Sequence, residues 1–473
     1  MDTARTSPTH VDLLLTGATV VTMDGQRTVH PDGYVAVHDG RIAGVGPSAA
    51  CPFTADEVRE LRDAAVLPGL VNGHTHLSNG ISRGLFDELP LADWVERGMW
   101  PSLRASREDT AYEGARVALA ENLLGGVTTT VVGEFGGPNT DAIEGVLRAV
   151  TESRSRAVVA RIAVDSDDDH DASQATAEDV RETVDFALSE VTRLRGLFDS
   201  DLVEVVPEAL GVLRCSADMV REFTAYARAE GTRMTMHVAS SPDERDEAMR
   251  RFGMGSIEKL AEMGALGPHL LIAHCVWPNE NERRLLAETS TGVSHNPVAN
   301  LMYASGVAPL AELIDAGVRV GLGTDGASTN NGQNMWEVMK TGMFLQKARW
   351  GASWGSAELA LELATIGGAR AIGLEAEIGS VEVGKWADLM VVDLARPHLV
   401  PRSTWPSNLV YSGNPDAVAT VLVGGRVVVD GGRLTAWDLE EVVRGGDAAA
   451  DRMNRVTGLA DLYRGRSRWS WQE

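Results

Sequence analysis

The chain is predicted to be an α/β protein: a (β/α)8, TIM-like barrel joined to a small β domain built from both termini. Three observations carry this. Short apolar, strand-like runs alternate with helix-like stretches through the middle of the chain, the pattern of a parallel sheet with crossover helices. Eight such runs fall within roughly 300 residues, the span of a closed barrel. Segments with the character of a β-meander lie on either side of that middle.

Residues 11–65 hold the strand candidates Leu13-Leu-Leu, Ala18-Thr-Val-Val-Thr and Tyr34-Val-Ala-Val, with Asp24-Gly25 and Asp39-Gly40 as turn signals. Residues 66–374 form the predicted barrel. Its first strand is read in Val66-Leu-Pro-Gly-Leu-Val-Asn-Gly-His-Thr-His-Leu77. The next are Thr128–Val132, Ala157–Ala163, Leu202–Val206 and Arg233–His237. Leu270–His274, Gly292–His295 and Val318–Leu322 complete the set. Helix-like stretches run from Glu108 to Leu124, Ala175 to Leu194, Ser216 to Glu230 and Pro242 to Met263. Residues 375–435 return to short strands around the tight turn Gly424-Gly425, and 436–473 read as a polar helical tail ending in Trp469-Ser-Trp471. An open doubly wound sheet is the alternative architecture, but no glycine-rich dinucleotide fingerprint follows the first strand. Asp165-Ser-Asp-Asp-Asp-His170 lacks the spacing and glycine of a calcium loop and reads as a solvated turn.

Composition narrows the function. With 43 basic and 67 acidic residues the formal net charge is −24, which disfavours nucleic acid and anionic membrane as partners. Hydrophobic residues make up 44%, without an apolar run of membrane-spanning length. Three cysteines, Cys51, Cys215 and Cys275, provide no disulfide framework and suit a reducing, cytoplasmic location. The first ten residues lack the apolar core of a signal peptide.

The chemistry lies at the strand ends. Side chains on a strand alternate faces, so His74 and His76 point one way and Thr75 the other. His237, His274, His295 and Asp325 close the fifth to eighth predicted strands. A parallel barrel gathers all these carboxyl ends on one face. Imidazoles and a carboxylate suit zinc, and also accept iron(II) or manganese. Such an ion lowers the pKa of a bound water from about 15.7 toward about 7, bringing hydroxide within reach of neutral pH. A histidine left over can polarise a substrate or shuttle a proton.

Pro68-Gly-Leu-Val-Asn-Gly-His-Thr-His76, His237-Val-Ala, Ala273-His-Cys, Ser294-His-Asn-Pro-Val-Ala-Asn300 and Gly321-Leu-Gly-Thr-Asp-Gly326 together resemble the amidohydrolase superfamily. The branch resembled is that of aminohydrolases and chlorohydrolases of purines, pyrimidines and triazines. The resemblance runs from about residue 11 to 435. It implies a split β-sandwich beside the barrel and one divalent metal, most simply zinc, held by His74, His76, His237 and Asp325. Asp325 then also accepts a proton from the attacking water, and His274 hydrogen-bonds the water or the atom under attack. His295 and Asn296 line the pocket, and Trp94 and Trp100, in and after the loop that caps it, can stack on a planar ring. The implied activity displaces an amino or related group from a small nitrogen heterocycle, in a homo-oligomer.

Two positions depart from that pattern. The fifth-strand motif, usually His-x-x-Glu, here runs His237-Val-Ala-Ser240, and serine cannot do carboxylate acid–base work near neutral pH. The fourth-strand motif is Pro207-Glu208 where nucleoside deaminases carry Pro-His. Glu208 at the rim, or Glu134 after the second strand, is a candidate to stand in. Asn330-Asn-Gly-Gln-Asn-Met335 can add polar contacts. The alternatives are the same scaffold with another reaction (dechlorination, amide hydrolysis, a non-hydrolytic elimination) and a non-catalytic binding homologue.

Overall fold

The computed structural model describes residues 9–137, 139–166 and 178–469. The segment before Thr9, the acidic patch from Asp167 onward, the start of the helix read from Ala175, and Trp471 lie outside the described residues.

The N-terminal strands are β1 (Thr9–Val21), β2 (Val29–His38), β3 (Arg41–Pro47), β4 (Phe53–Glu60) and β5 (Ala64–Pro68). Asp39 and Gly40, at φ of 48° and 77°, make the two-residue turn between β2 and β3. The barrel strands follow as β6 (Leu70–Thr75), β7 (Val127–Phe135), β8 (Arg156–Ala163) and β9 (Val203–Ala209). Then come β10 (Met234–Val238), β11 (Leu270–His274), β12 (Gly292–His295) and β13 (Arg319–Leu322). The chain then returns as β14 (Leu389–Asp393), β15 (Val418–Val423), β16 (Arg426–Asp430) and β17 (Arg433–Leu434).

Among the described residues, β6 to β13 pair in sequence order as one eight-stranded parallel sheet. It closes almost completely. Between the first and last strands the link is local: the Asp325 amide donates to the His74 carbonyl at 2.8 Å, and Thr75 Oγ1 donates to the Asp325 carbonyl at 2.9 Å. A buried polar network backs this seam. Asn72 Oδ1 accepts from the Thr324 amide at 3.0 Å, and Gln333 Nε2 donates to the Asp325 carbonyl at 2.9 Å. Asn330 Nδ2 donates to the Thr324 carbonyl, so Asn330 and Gln333 brace the seam from behind.

The terminal strands form a second sheet in the order β17-β16-β15-β14-β5-β1-β2-β3, with β4 parallel to β1. Leu15, Val35, Val66, Leu389 and Leu422, from five of its strands, share one buried core, so the sheet curls around them. The long apolar run from Val66 is therefore two strands. Ala64–Pro68 pairs with β14 and β1, and the chain enters the barrel only at Leu70. Gly69 makes the crossing: a Cβ there would stand 2.2 Å from the Thr128 side chain.

Helices Glu108–Leu124 and Ala217–Ala229 lie where their periodicity places them, whereas Pro242 to Met263 divides into Pro242–Phe252 and Ser256–Glu262. Gly253, at φ of 68°, ends the first of the two. The Asp165 carboxylate accepts from the amide and hydroxyl of Ser216 at the start of helix Ala217–Ala229. The three cysteines are unpaired, with Cys215 and Cys275 buried. No helix among the described residues is long and apolar enough to cross a membrane. The C-terminal helices Leu439–Thr457 and Leu459–Arg466 pack back on the barrel, Met453 meeting Ile81 in a small buried cluster.

Candidate metal centre and pocket

The carboxyl ends of β6, β10, β11 and β13 bring His74, His76, His237, His274 and Asp325 together. The backbone turns sharply there. His274 and Asp325 hold φ of 74° and 65°, and Ala239, just past His237, holds 55°. Non-glycine residues adopt this region at a cost of about 1–3 kcal/mol each, and such strain collects at working sites.

Asp325 Oδ1 lies 3.7 Å from His74 Nε2 and 3.5 Å from His76 Nε2, while Oδ2 lies 3.8 Å from His274 Nε2. Ring centroids of His74 and His237 are 4.7 Å apart, and the His76 and His237 rings stack at 5.5 Å. Ligands about 2.0–2.1 Å from a tetrahedral zinc stand about 3.4 Å apart, so these spacings fit one shared ion. The donors fit as well. His74 Nε2 is buried and makes no hydrogen bond among the described residues. Burial and the neighbouring histidines hold its pKa well below the usual value, and burial takes His274 down to about 4. Both rings are therefore neutral, the form in which imidazole ligates.

Acceptors behind the rings set their orientation. His76 Nδ1 donates to the Gly133 carbonyl, and His237 Nδ1 lies 2.8 Å from Glu208 Oε1. A hydrogen on Nδ1 facing these acceptors would leave the Nε2 lone pair of each ring for the centre. Glu208 Oε2 accepts from Thr235 Oγ1 at 2.6 Å. Gly133 permits this packing, since a Cβ there would meet Glu208 Oε2 at 2.9 Å and His76 Cε1 at 3.2 Å. His274 Nδ1 donates to Asn300 Oδ1 at 3.0 Å, which leaves its Nε2 facing Asp325 Oδ2.

Several expectations change here. Glu208 is not a rim carboxylate. It is 1% exposed, with Oε2 bonded to Thr235 and Oε1 against the His237 ring, and it does not line the cavity. Glu134 is also buried; it accepts from the Ser78 amide and hydroxyl at 2.9 and 2.7 Å, and faces a side cavity next to His76. Burial raises its pKa above the ordinary carboxylate value. His295 does not line the pocket. It closes β12, its ring 4.0 Å from where a Cβ on Gly342 would stand. Asn296 lies behind His274, its Oδ1 accepting from Ser294 Oγ at 2.9 Å. Trp100 is a core residue packed on Phe135, whereas Trp94 does line the pocket and meets Tyr303 edge-on at 5.5 Å.

The cavity over the histidines is walled mainly by apolar groups such as Trp94, Met99 and Val212, with Ser240, Glu244 and Tyr303 as polar points. That mixture is usual for small-molecule sites. Glu244 and Tyr303 were not singled out from the sequence. Ser241-Pro-Asp-Glu244 carries the Ser-x-x-Glu helix-start pattern, which could have flagged Glu244; nothing local flags Tyr303. Glu208→Gln is expected to weaken metal affinity about 10–100-fold, the usual effect of losing a carboxylate behind a ligating histidine. Competition against a chromogenic chelator measures this.

Comparison with known proteins agrees with the geometry. Residues 65–428 match the Amidohydrolase family. A 5-methylthioadenosine/S-adenosylhomocysteine deaminase of Syntrophobacter fumaroxidans is 34% identical over 91% of this chain and 96% of its own. A 5'-deoxyadenosine deaminase of Methanothermobacter thermautotrophicus is 35% identical over 93% of this chain and 98% of its own. Among solved structures, a zinc-bound adenosine deaminase from Xanthomonas campestris superposes with a TM-score of 0.88 at 28% identity, covering 95% of this chain and 100% of that one. A zinc complex of atrazine chlorohydrolase from Arthrobacter aurescens gives 0.86 at 25% identity, covering 93% and 100%. By sequence match, fold and strand-end constellation alike, this chain belongs to the amidohydrolase family.

Proposed function

We propose that the protein hydrolyses a C–N bond on a planar nitrogen heterocycle, releasing ammonia, with one divalent ion, zinc by preference, held by His74, His76, His237 and Asp325. The observation that carries this is the division of labour in Asp325: one oxygen faces His74 and His76, the other faces His274. When bound, the ion makes a water acidic enough to be nucleophilic near neutral pH. The free oxygen of Asp325 takes the water's proton and returns it to the departing nitrogen. His274, neutral and fixed through Asn300, presents Nε2 to the same water or to the atom under attack. Trp94 and its apolar neighbours exclude bulk water and hold the ring flat over the site. The relatives named as adenosine-type deaminases and the zinc-bound neighbours support this reading.

Ammonia release from a panel of amino-heterocycles is expected to vanish after exhaustive chelation and to return with added zinc. Undiminished turnover by metal-free protein would end the proposal.

One observation favours a second reading. Glu134 and Glu244 have both oxygens hydrogen-bonded, and Glu208 lies buried against Thr235 Oγ1 and His237 Nδ1, so none of these three is free to protonate a ring. A leaving group that needs no proton, such as chloride, suits that arrangement. Halide release without ammonia across a matched panel would establish it.

A further inference from the structure

We propose that Ser240 selects the substrate: it accepts a hydrogen bond from a ring N–H next to the carbon under attack, so the site takes cyclic amidines that carry that hydrogen. This deepens the amine-hydrolysis reading and rests on it. Ser240 lines the same cavity as His76, His237, His274 and Asp325. Its Oγ lies 2.7 Å from Glu244 Oε2. The Glu244 carboxylate gathers four donors. Oε1 accepts from the Ala239 amide at 2.7 Å and from Ser256 Oγ at 3.0 Å, and Oε2 accepts from the Ser240 amide and hydroxyl, both at 2.7 Å. The Glu244 amide in turn donates to Ser241 Oγ at 3.1 Å, locking the carboxylate at the start of helix Pro242–Phe252.

An ionised carboxylate only accepts, so the Ser240 hydrogen has one good direction, toward Glu244. Turning it to the pocket would leave two bare oxygens in contact at 2.7 Å. What Ser240 shows the cavity is therefore a lone pair. A ring nitrogen without hydrogen would set lone pair against lone pair. A ring N–H would complete the bond, and the negative charge of Glu244 behind the hydroxyl would strengthen it.

The reaction balances for such a substrate. In 2-amino-6-oxopurine or isocytosine the attacked carbon carries the N–H on one side and is doubly bonded to the ring nitrogen on the other. The water oxygen bonds to that carbon, and the C=N electron pair moves to the second ring nitrogen, which takes one of the water's protons. The other proton goes by way of Asp325 to the amino group, the C–N bond breaks and ammonia leaves. The N–H that faces Ser240 keeps its hydrogen throughout, so no carboxylate has to protonate the ring at that position.

The test uses zinc-loaded enzyme and matched probes: 2-amino-6-oxopurine against 2-aminopurine, and isocytosine against cytosine, with a 6-aminopurine nucleoside as a further bare-nitrogen probe. The N–H member of each pair is expected to have a kcat/KM about tenfold or more above its partner. Ser240→Ala should bring that ratio toward one, and Ser240→Thr, which restores the hydroxyl, should keep it. Because the readout is a ratio within one protein, general loss of fold does not imitate it. Equal or faster turnover of the bare-nitrogen probes would overturn the inference while leaving amine hydrolysis standing, as would a ratio that survives Ser240→Ala. Absence of ammonia from every heterocycle would overturn both.

Discussion

Asp325→Asn is expected to lower kcat by about 10³-fold, with zinc still bound when the metal is in excess. The amide keeps an oxygen to face His74 and His76, and the three imidazoles are untouched, so the ion retains most of its donors. What is lost is the oxygen 3.8 Å from His274 Nε2 as a proton acceptor. Positioned acid–base groups contribute roughly 10²–10⁴-fold. Metal analysis beside steady-state kinetics separates the two roles. Full recovery of kcat with added zinc would mean that Asp325 serves only as a ligand.

A second large effect is expected far from the chemistry. Arg156, the first residue of β8, meets Asp388 at 2.7 and 3.2 Å with both side chains buried. Arg156 also donates to the Asp201 carbonyl, while Asp388 accepts from the Gly424 amide. The pair joins the amino end of the barrel to the terminal sheet. Asp388→Ala leaves a guanidinium buried and unpaired, which costs about 3–5 kcal/mol. The urea midpoint should fall accordingly, with kcat per folded molecule unchanged, because this face of a barrel carries stability rather than catalysis. Removing both charges, as in Arg156→Met with Asp388→Leu, should cost less than Asp388→Ala alone.

Much of this was legible along the chain because a parallel barrel converts sequence order into position. A histidine that ends an apolar run ends a strand, and every strand ends on one face. That logic placed His74, His76, His237, His274 and Asp325 without any contact being known. It failed where orientation depends on distant neighbours. The apolar run ends at Val206, which puts Glu208 at the rim; yet β9 continues to Ala209, and Glu208 turns inward to Thr235 and His237. His295 also ends a strand, but its ring lies beside Gly342 instead of over the pocket. The run from Val66 was read as one strand because hydrophobicity does not change at Gly69, where the chain passes from one sheet to the other. Trp100 could not be told from Trp94 by composition; only packing on Phe135 separates them.

The nearly closed barrel has a mechanical consequence. Its first and last strands touch mainly where the Asp325 amide reaches the His74 carbonyl. His74 and His76 stand on one lip of that joint and Asp325 on the other, so a cation gripped by all three would work as a clasp between segments some 250 residues apart. Withdrawing the cation should therefore unfasten the cylinder at its join first, with faster amide deuteration at Asp325 and Gly326 than at the midpoints of β7 and β8.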